Sequence, residues 1–182
     1  MFQQITSFYQ IPVTRKSLVV LDIDDTIMGF SKITKLWWRE TFDKHFALTN
    51  DKNLANDLTI CEWREYVGVN KPYLLDEIKL KNFFGEIRQN SCELILLTAR
   101  DPVMTEITNS HLAQCEIQIS SDRVIHNANK GDALADIVKS YPGFSNIIFV
   151  DDFEKNLINV KTRFSQDDMF NYNLALYKIT HN

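Results

Sequence analysis

Glycine is scarce in this chain of 182 residues, with only five, at positions 29, 68, 85, 131 and 143. That spacing allows neither a GxGxxG turn nor a phosphate-cradling P-loop, which removes the glycine-built nucleotide folds. No GxSxG is present either, so a serine hydrolase would lack its nucleophile elbow. Cysteine is equally sparse. Cys61, Cys92 and Cys115 are odd in number and form no CxxC pair, which argues against a disulfide framework and a zinc site. Reduced, mostly buried thiols in a cytosol-like compartment are expected. The histidines, at 45, 111, 126 and 181, show no ligand spacing and read as ordinary surface or core residues. No apolar run is long enough to span a membrane, and residues 1–10 lack the basic and apolar regions of a signal peptide. A cytoplasmic location and no membrane partner are therefore expected. Twenty basic side chains stand against 24 acidic ones, with no long basic block, which disfavours nucleic acid as a partner.

What the chain does have is a hydrophobic fraction of 45%, ordinary for a full core, and a length suited to one domain with a modest insertion. Three fully apolar runs stand out. Ser17-Leu18-Val19-Val20-Leu21 runs into Asp22-Ile23-Asp24-Asp25-Thr26. Leu94-Ile95-Leu96-Leu97 ends in Thr98, and Ile147-Ile148-Phe149-Val150 ends in Asp151-Asp152. Continuous apolarity of this kind suits strands buried on both faces of a parallel sheet. Helical patterns alternate with them: one over residues 76–90, one after Pro102, one opened by Asn129-Lys130-Gly131 and one from Glu154. Residues 1–16 read as an extended or looped lead-in, 117–119 as a short strand, and 173–179 as an edge strand. The spacing thus predicts an α/β, Rossmann-like parallel sheet in three layers.

Between residues 31 and 75 there is little strand signal. Ile33, Leu36, Trp37, Phe42 and Phe46 fall near helical spacing, and a second, short helical stretch passes through Trp63 and Tyr66. The segment reads as a small helical cap inserted after the first strand, with 1–30 and 76–182 forming the core. Trp37, Trp38 and Trp63 are expected to pack within it, with a ring facing a ligand as the alternative.

The strand ends carry the chemistry. In a parallel sheet they lie along one edge, where open α/β sheets place their sites. Asp22, Asp24, Asp151 and Asp152 gathered there could not all stay ionised without compensating cations. A hard divalent ion with Lys130 nearby is the natural resolution, and magnesium readily takes a phosphate oxygen.

The order DxDxT, strand-terminal threonine, lysine, acidic pair resembles the haloacid dehalogenase-like (HAD) superfamily. The segments that carry the resemblance are Asp22-Ile23-Asp24-Asp25-Thr26, Leu96-Leu97-Thr98, Lys130 at a helix start, and Phe149-Val150-Asp151-Asp152. The resemblance implies a magnesium-dependent phosphatase acting through an aspartyl-phosphate. Asp22 would be the nucleophile, Asp24 the acid and base, Thr98 a phosphoryl contact and Lys130 a charge-balancing group. The metal would sit on the Asp22 carboxylate, the Asp24 backbone carbonyl and the acidic pair. Asp152 would be the direct ligand and Asp151 a ligand through water. Thr26 and Asn156 are weaker substrate-side candidates, Asn156 standing where many relatives carry a second aspartate. Arg100 would either reach a substrate anion or lie on the surface. A phosphomutase or phosphotransferase keeps the same residues, and a catalytically weak binding protein on this fold is the alternative from another class. A small phosphorylated molecule is the expected substrate.

Overall fold

The structure, a computed structural model, describes residues 2–166 and 172–181. Six strands form one sheet: β1 (Gln3–Ile5), β2 (Ser17–Leu21), β5 (Glu93–Thr98), β6 (Val124–His126), β7 (Asn146–Asp151) and β8 (Asn173–Ile179). Their order is β1-β8-β7-β2-β5-β6, and every pairing is parallel. The three apolar runs are its centre, β7, β2 and β5, where both faces are covered. The sequence therefore shows no alternation there.

Alternate residues serve opposite layers. Val19, Leu21 and Val150 point towards α3 (Glu77–Gln89) and α4 (Thr105–Gln114), packing with Leu80, Phe83 and Leu112. Leu18, Val20 and Phe149 pack on the other side with Leu134 and Val138 of α5 (Lys130–Ser140) and Leu157 and Val160 of α6 (Glu154–Ser165). The result is the expected helix–sheet–helix sandwich of an α/β fold. From β2 the chain winds outward through β5 and β6, then returns to β7 and β8 on the other side. Strand order thus reverses between β2 and β7, and their carboxyl ends flank the crevice.

Several expectations need correction. The lead-in is extended over Gln3–Ile5, one of its two expected forms, but there it forms the edge strand, and a one-turn helix follows that buries Phe8 against Phe83, ring centroids 5.2 Å apart. Residues 173–179 do form a strand, but β1 covers its outer side, so it is not an edge. No strand forms at 117–119. Ile117 closes the end of α4, its N–H donating to the Leu112 carbonyl, and the strand comes later, at β6.

The insertion follows the second strand of the chain, since β1 precedes it. It is an antiparallel helical hairpin, α1 (Lys35–Thr49) and α2 (Lys52–Val69). The turn between them is only Asn50 and Asp51, with Asn50 left-handed and the Asp51 carboxylate capping α2. The second helix is the longer, not a short stretch. Of α1 only Thr41 is buried. The hairpin stands on a two-residue antiparallel ladder, β3 (Met28–Gly29) with β4 (Tyr73–Leu74). A side chain at Gly29 would meet the Tyr73 hydroxyl at 3.2 Å. A satellite cluster of Phe30, Ile33, Trp63, Val67 and Met104 fastens α2 to the segment after β5, helped by Arg64–Asp101 at 3.0 Å. Trp37 and Trp38 pack against that cluster.

Candidate active site

Asp22 leaves β2 with its N–H donating to the Val150 carbonyl of β7, which sets it level with Asp151. Oxygen atoms of Asp22, Asp151 and Asp152 lie within 4.8 Å of one another. Asp22 and Asp151 are buried, and Asp152 is half-buried. The Lys130 ammonium of α5 donates to the Leu97 carbonyl of β5 and to Asp22 Oδ1 at 2.6 Å, with its side chain wholly buried. Gly131 lets that helix start so close to α6, because a Cβ there would lie 2.9 Å from the Asn159 carbonyl oxygen and 2.7 Å from its Oδ1.

Between Asp22 and the ladder the backbone makes a tight turn. Ile27 and Met28 both donate to the Ile23 carbonyl, and Asp25 sits at φ 54°. An aspartate tolerates that left-handed conformation better than most side chains. The buried Thr26 hydroxyl donates to Asp22 Oδ2 at 3.3 Å and accepts the Asp152 N–H at 3.1 Å. The ring of His181 meets the Thr26 carbonyl at 2.9 Å. Asn156 turns its amide nitrogen to both oxygens of Asp151, at 3.1 and 3.0 Å, and so orients that carboxylate.

Thr98, fully buried at the end of β5, accepts the Arg100 N–H on its hydroxyl at 3.1 Å. Arg100 is not a surface side chain. Its guanidinium is buried and grips Asp24 with two bonds, Nε to Oδ2 at 2.8 Å and Nη2 to Oδ1 at 2.7 Å. Nη1 reaches Thr108 Oγ1 and His111 Nδ1, and the Trp63 ring of α2 lies 5.9 Å from the guanidinium carbon. Nothing local in the sequence announces this cluster. His111 belongs to it as a buried residue that spacing alone missed.

The electrostatics leave charge uncompensated. Burial pushes Asp22 above the ordinary carboxylate range, against the pull of Lys130. Burial, with Asp22 close by, raises Asp151 to about 8 and Asp152 to about 7. Asp25 rises to about 6 through burial and its neighbours Asp24 and Asp22. Lys130 pairs with Asp22 and Arg100 with Asp24, whereas among the described residues Asp151 and Asp152 feel Lys130 and Lys35 only at a distance, which leaves the acidic pair as the group best served by a cation. Oxygen donors alone, clustered and short of positive charge, fit a hard divalent ion of the magnesium type. Burial, then the Arg100 charge, lowers His111 to about 4, so its ring is neutral at pH 7.

Among known families, the model of one described only as a protein of unknown function (DUF2608) matches residues 124–182, which include Lys130 and the acidic pair but not Asp22. No curated protein matches the sequence. Two solved structures of the class C acid phosphatase from Bacillus anthracis are similar to the chain. The first is 11% identical at a TM-score of 0.48 and covers 91% of this chain and 67% of that one. The second, with tungstate bound, is 12% identical at 0.49 and covers 91% and 68%.

Proposed function

We propose that the protein is a magnesium-dependent phosphomonoesterase of the HAD type. The observation that carries the reading is the buried Asp22 carboxylate, paired with Lys130 and facing Asp151 and Asp152 where the strand order reverses. Asp22 attacks phosphorus through a carboxylate oxygen, and the bond to the leaving oxygen breaks. Asp24 gives that oxygen its proton, so an alcohol departs and an aspartyl-phosphate remains. Asp24 then takes a proton from water as the water attacks phosphorus, and the Asp22 carboxylate is restored with release of inorganic phosphate. Lys130 holds Asp22 in place and offsets phosphoryl charge, while the Thr98 hydroxyl contacts a phosphoryl oxygen. Asp22, Asp152 and the Asp24 carbonyl would hold magnesium, with Asp151 behind, and the ion would supply positive charge to the phosphoryl oxygens.

The helical hairpin leaves the core beside this centre and acts as a cap, restricting access to small phosphorylated molecules. The test is hydrolysis of p-nitrophenyl phosphate with magnesium, with chelator, and with magnesium restored. Turnover should vanish in chelator and return with the metal. Asp22→Asn should form no trapped phospho-enzyme, since an amide is a poor nucleophile; a normal level of it would remove Asp22 from the role.

A further inference from the structure

We propose that Arg100 is a positioning residue: it fixes the Asp24 carboxylate for activation of water, and the docking of α2 in turn fixes Arg100. The proposal rests on the reading of Asp24 as the acid and base of a phosphatase. It starts from a complete donor inventory. A guanidinium has five N–H groups in a rigid fork. Nε and Nη2 each serve Asp24, the second Nη2 hydrogen faces Met28 Sδ at 3.8 Å, and Nη1 serves Thr108 Oγ1 at 3.3 Å and His111 Nδ1 at 3.1 Å. Nothing of the side chain reaches solvent, whereas the Asp24 side chain is 30% exposed. A carboxylate held by two parallel bonds has one orientation, and its outward lone pairs then face the open side of the site.

The hold is tied to the hairpin along two routes. The Trp63 ring lies against the guanidinium. The second route runs through His111. Arginine only donates, so the neutral His111 ring must accept at Nδ1, which leaves Nε2–H for the backbone of Val67 in α2, whose electrostatic pull the ring feels. Trp63 and Val67 are one helical turn apart, and both are buried in the satellite cluster. Arg64, between them, meets Asp101 at 3.0 Å. One turn of α2 is therefore locked to the segment that carries Arg100.

The experiment uses the full chain with magnesium and p-nitrophenyl phosphate, whose leaving group needs little protonation. Arg100→Lys keeps the charge and loses the fork. We expect kcat and KM to fall together, by about ten-fold or more, with kcat/KM unchanged and a burst of nitrophenol equal to the enzyme. That pattern means the aspartyl-phosphate forms normally and waits for water. A lowered kcat at constant KM, without a burst, is the mark of a purely structural residue and overturns the proposal. Trp63→Leu should give the same pattern more weakly, and wild-type kinetics there overturn the link to the hairpin. Should Arg100→Lys not fold, the Trp63→Leu arm decides. Thermal unfolding of Arg100→Gln, Asp24→Asn and the double variant needs no turnover. A double variant no less stable than the worse single one supports the pairing, and additive shifts overturn it. If the wild type hydrolyses no phosphate ester, the phosphatase reading has failed, and this cycle still decides whether Arg100 holds Asp24.

Discussion

Thr26 accepts the N–H of Asp152 across 126 positions of sequence, at 3.1 Å, and the same hydroxyl donates to Asp22. One small side chain thus joins the ends of β2 and β7. Thr26→Val keeps the shape but leaves the Asp152 N–H unanswered. The expected cost is about 1–3 kcal/mol in denaturant unfolding, with magnesium affinity weakened roughly ten-fold or more in a calorimetric titration. Thr26→Ser should lose much less. Equal losses in both variants would assign the effect to the missing methyl group instead.

Protonation of the acidic pair makes stability depend on pH and metal together. Asp151 and Asp152 rise from 3.8 to about 8 and about 7 in the metal-free fold. Between roughly pH 4 and 8 the folded state therefore holds protons that the unfolded chain has released, so stability falls as pH rises. This contribution is complete below the unfolded values and is lost as pH passes the folded ones. The metal-free Tm should drop from pH 5 to pH 8. Magnesium should raise Tm more at pH 8 than at pH 5, because at pH 5 it competes with protons. A metal-free Tm that climbs across this window would contradict the assignment.

At Gly131 a methyl group has no room. The nearest atoms to an added Cβ include the Asn159 backbone oxygen at 2.9 Å, which cannot swing aside. Gly131→Ala should cost about 1–3 kcal/mol through overpacking. By prying α5 from α6 it should also displace Lys130 and lower turnover. Wild-type denaturation and turnover would show that the helices part freely.

Shortening the hairpin separates admission from chemistry. Replacing residues 39–62 with a short Gly/Ser turn keeps Trp38, Trp63 and the satellite cluster. Aryl-phosphate hydrolysis should persist, while discrimination among small phosphates narrows. Circular dichroism checks the fold first. Unchanged discrimination in a folded, shortened protein would place selectivity elsewhere, and efficient action of the intact protein on a folded phosphoprotein would overturn the small-substrate reading.

The three central strands were legible because burial on both faces leaves an uninterrupted apolar run, and each boundary falls within about a residue of that run. The acidic and hydroxyl residues at their ends were legible for the same reason, as abrupt polar stops. By contrast Gln3–Ile5 has a single apolar residue in the core, Ile5, and becomes a strand only because β8 offers an edge. Ile117 and Ile119 alternate like a strand, yet Ile117 is drawn into closing α4. The Arg100–Asp24 pairing joins residues 76 positions apart, and no local period encodes a contact of that kind. The same holds for Trp63 against Arg100 and for His111 beside the same guanidinium.

Thr41 is the sole buried residue of α1, and the outer half of the hairpin contributes nothing to either main core cluster. Substitutions along that outer surface leave the sheet and its strand ends untouched. If the hairpin is the cap proposed above, substitution there can redraw what is admitted to the strand ends while their side chains stay fixed. The hairpin is the part of the molecule with latitude to diverge.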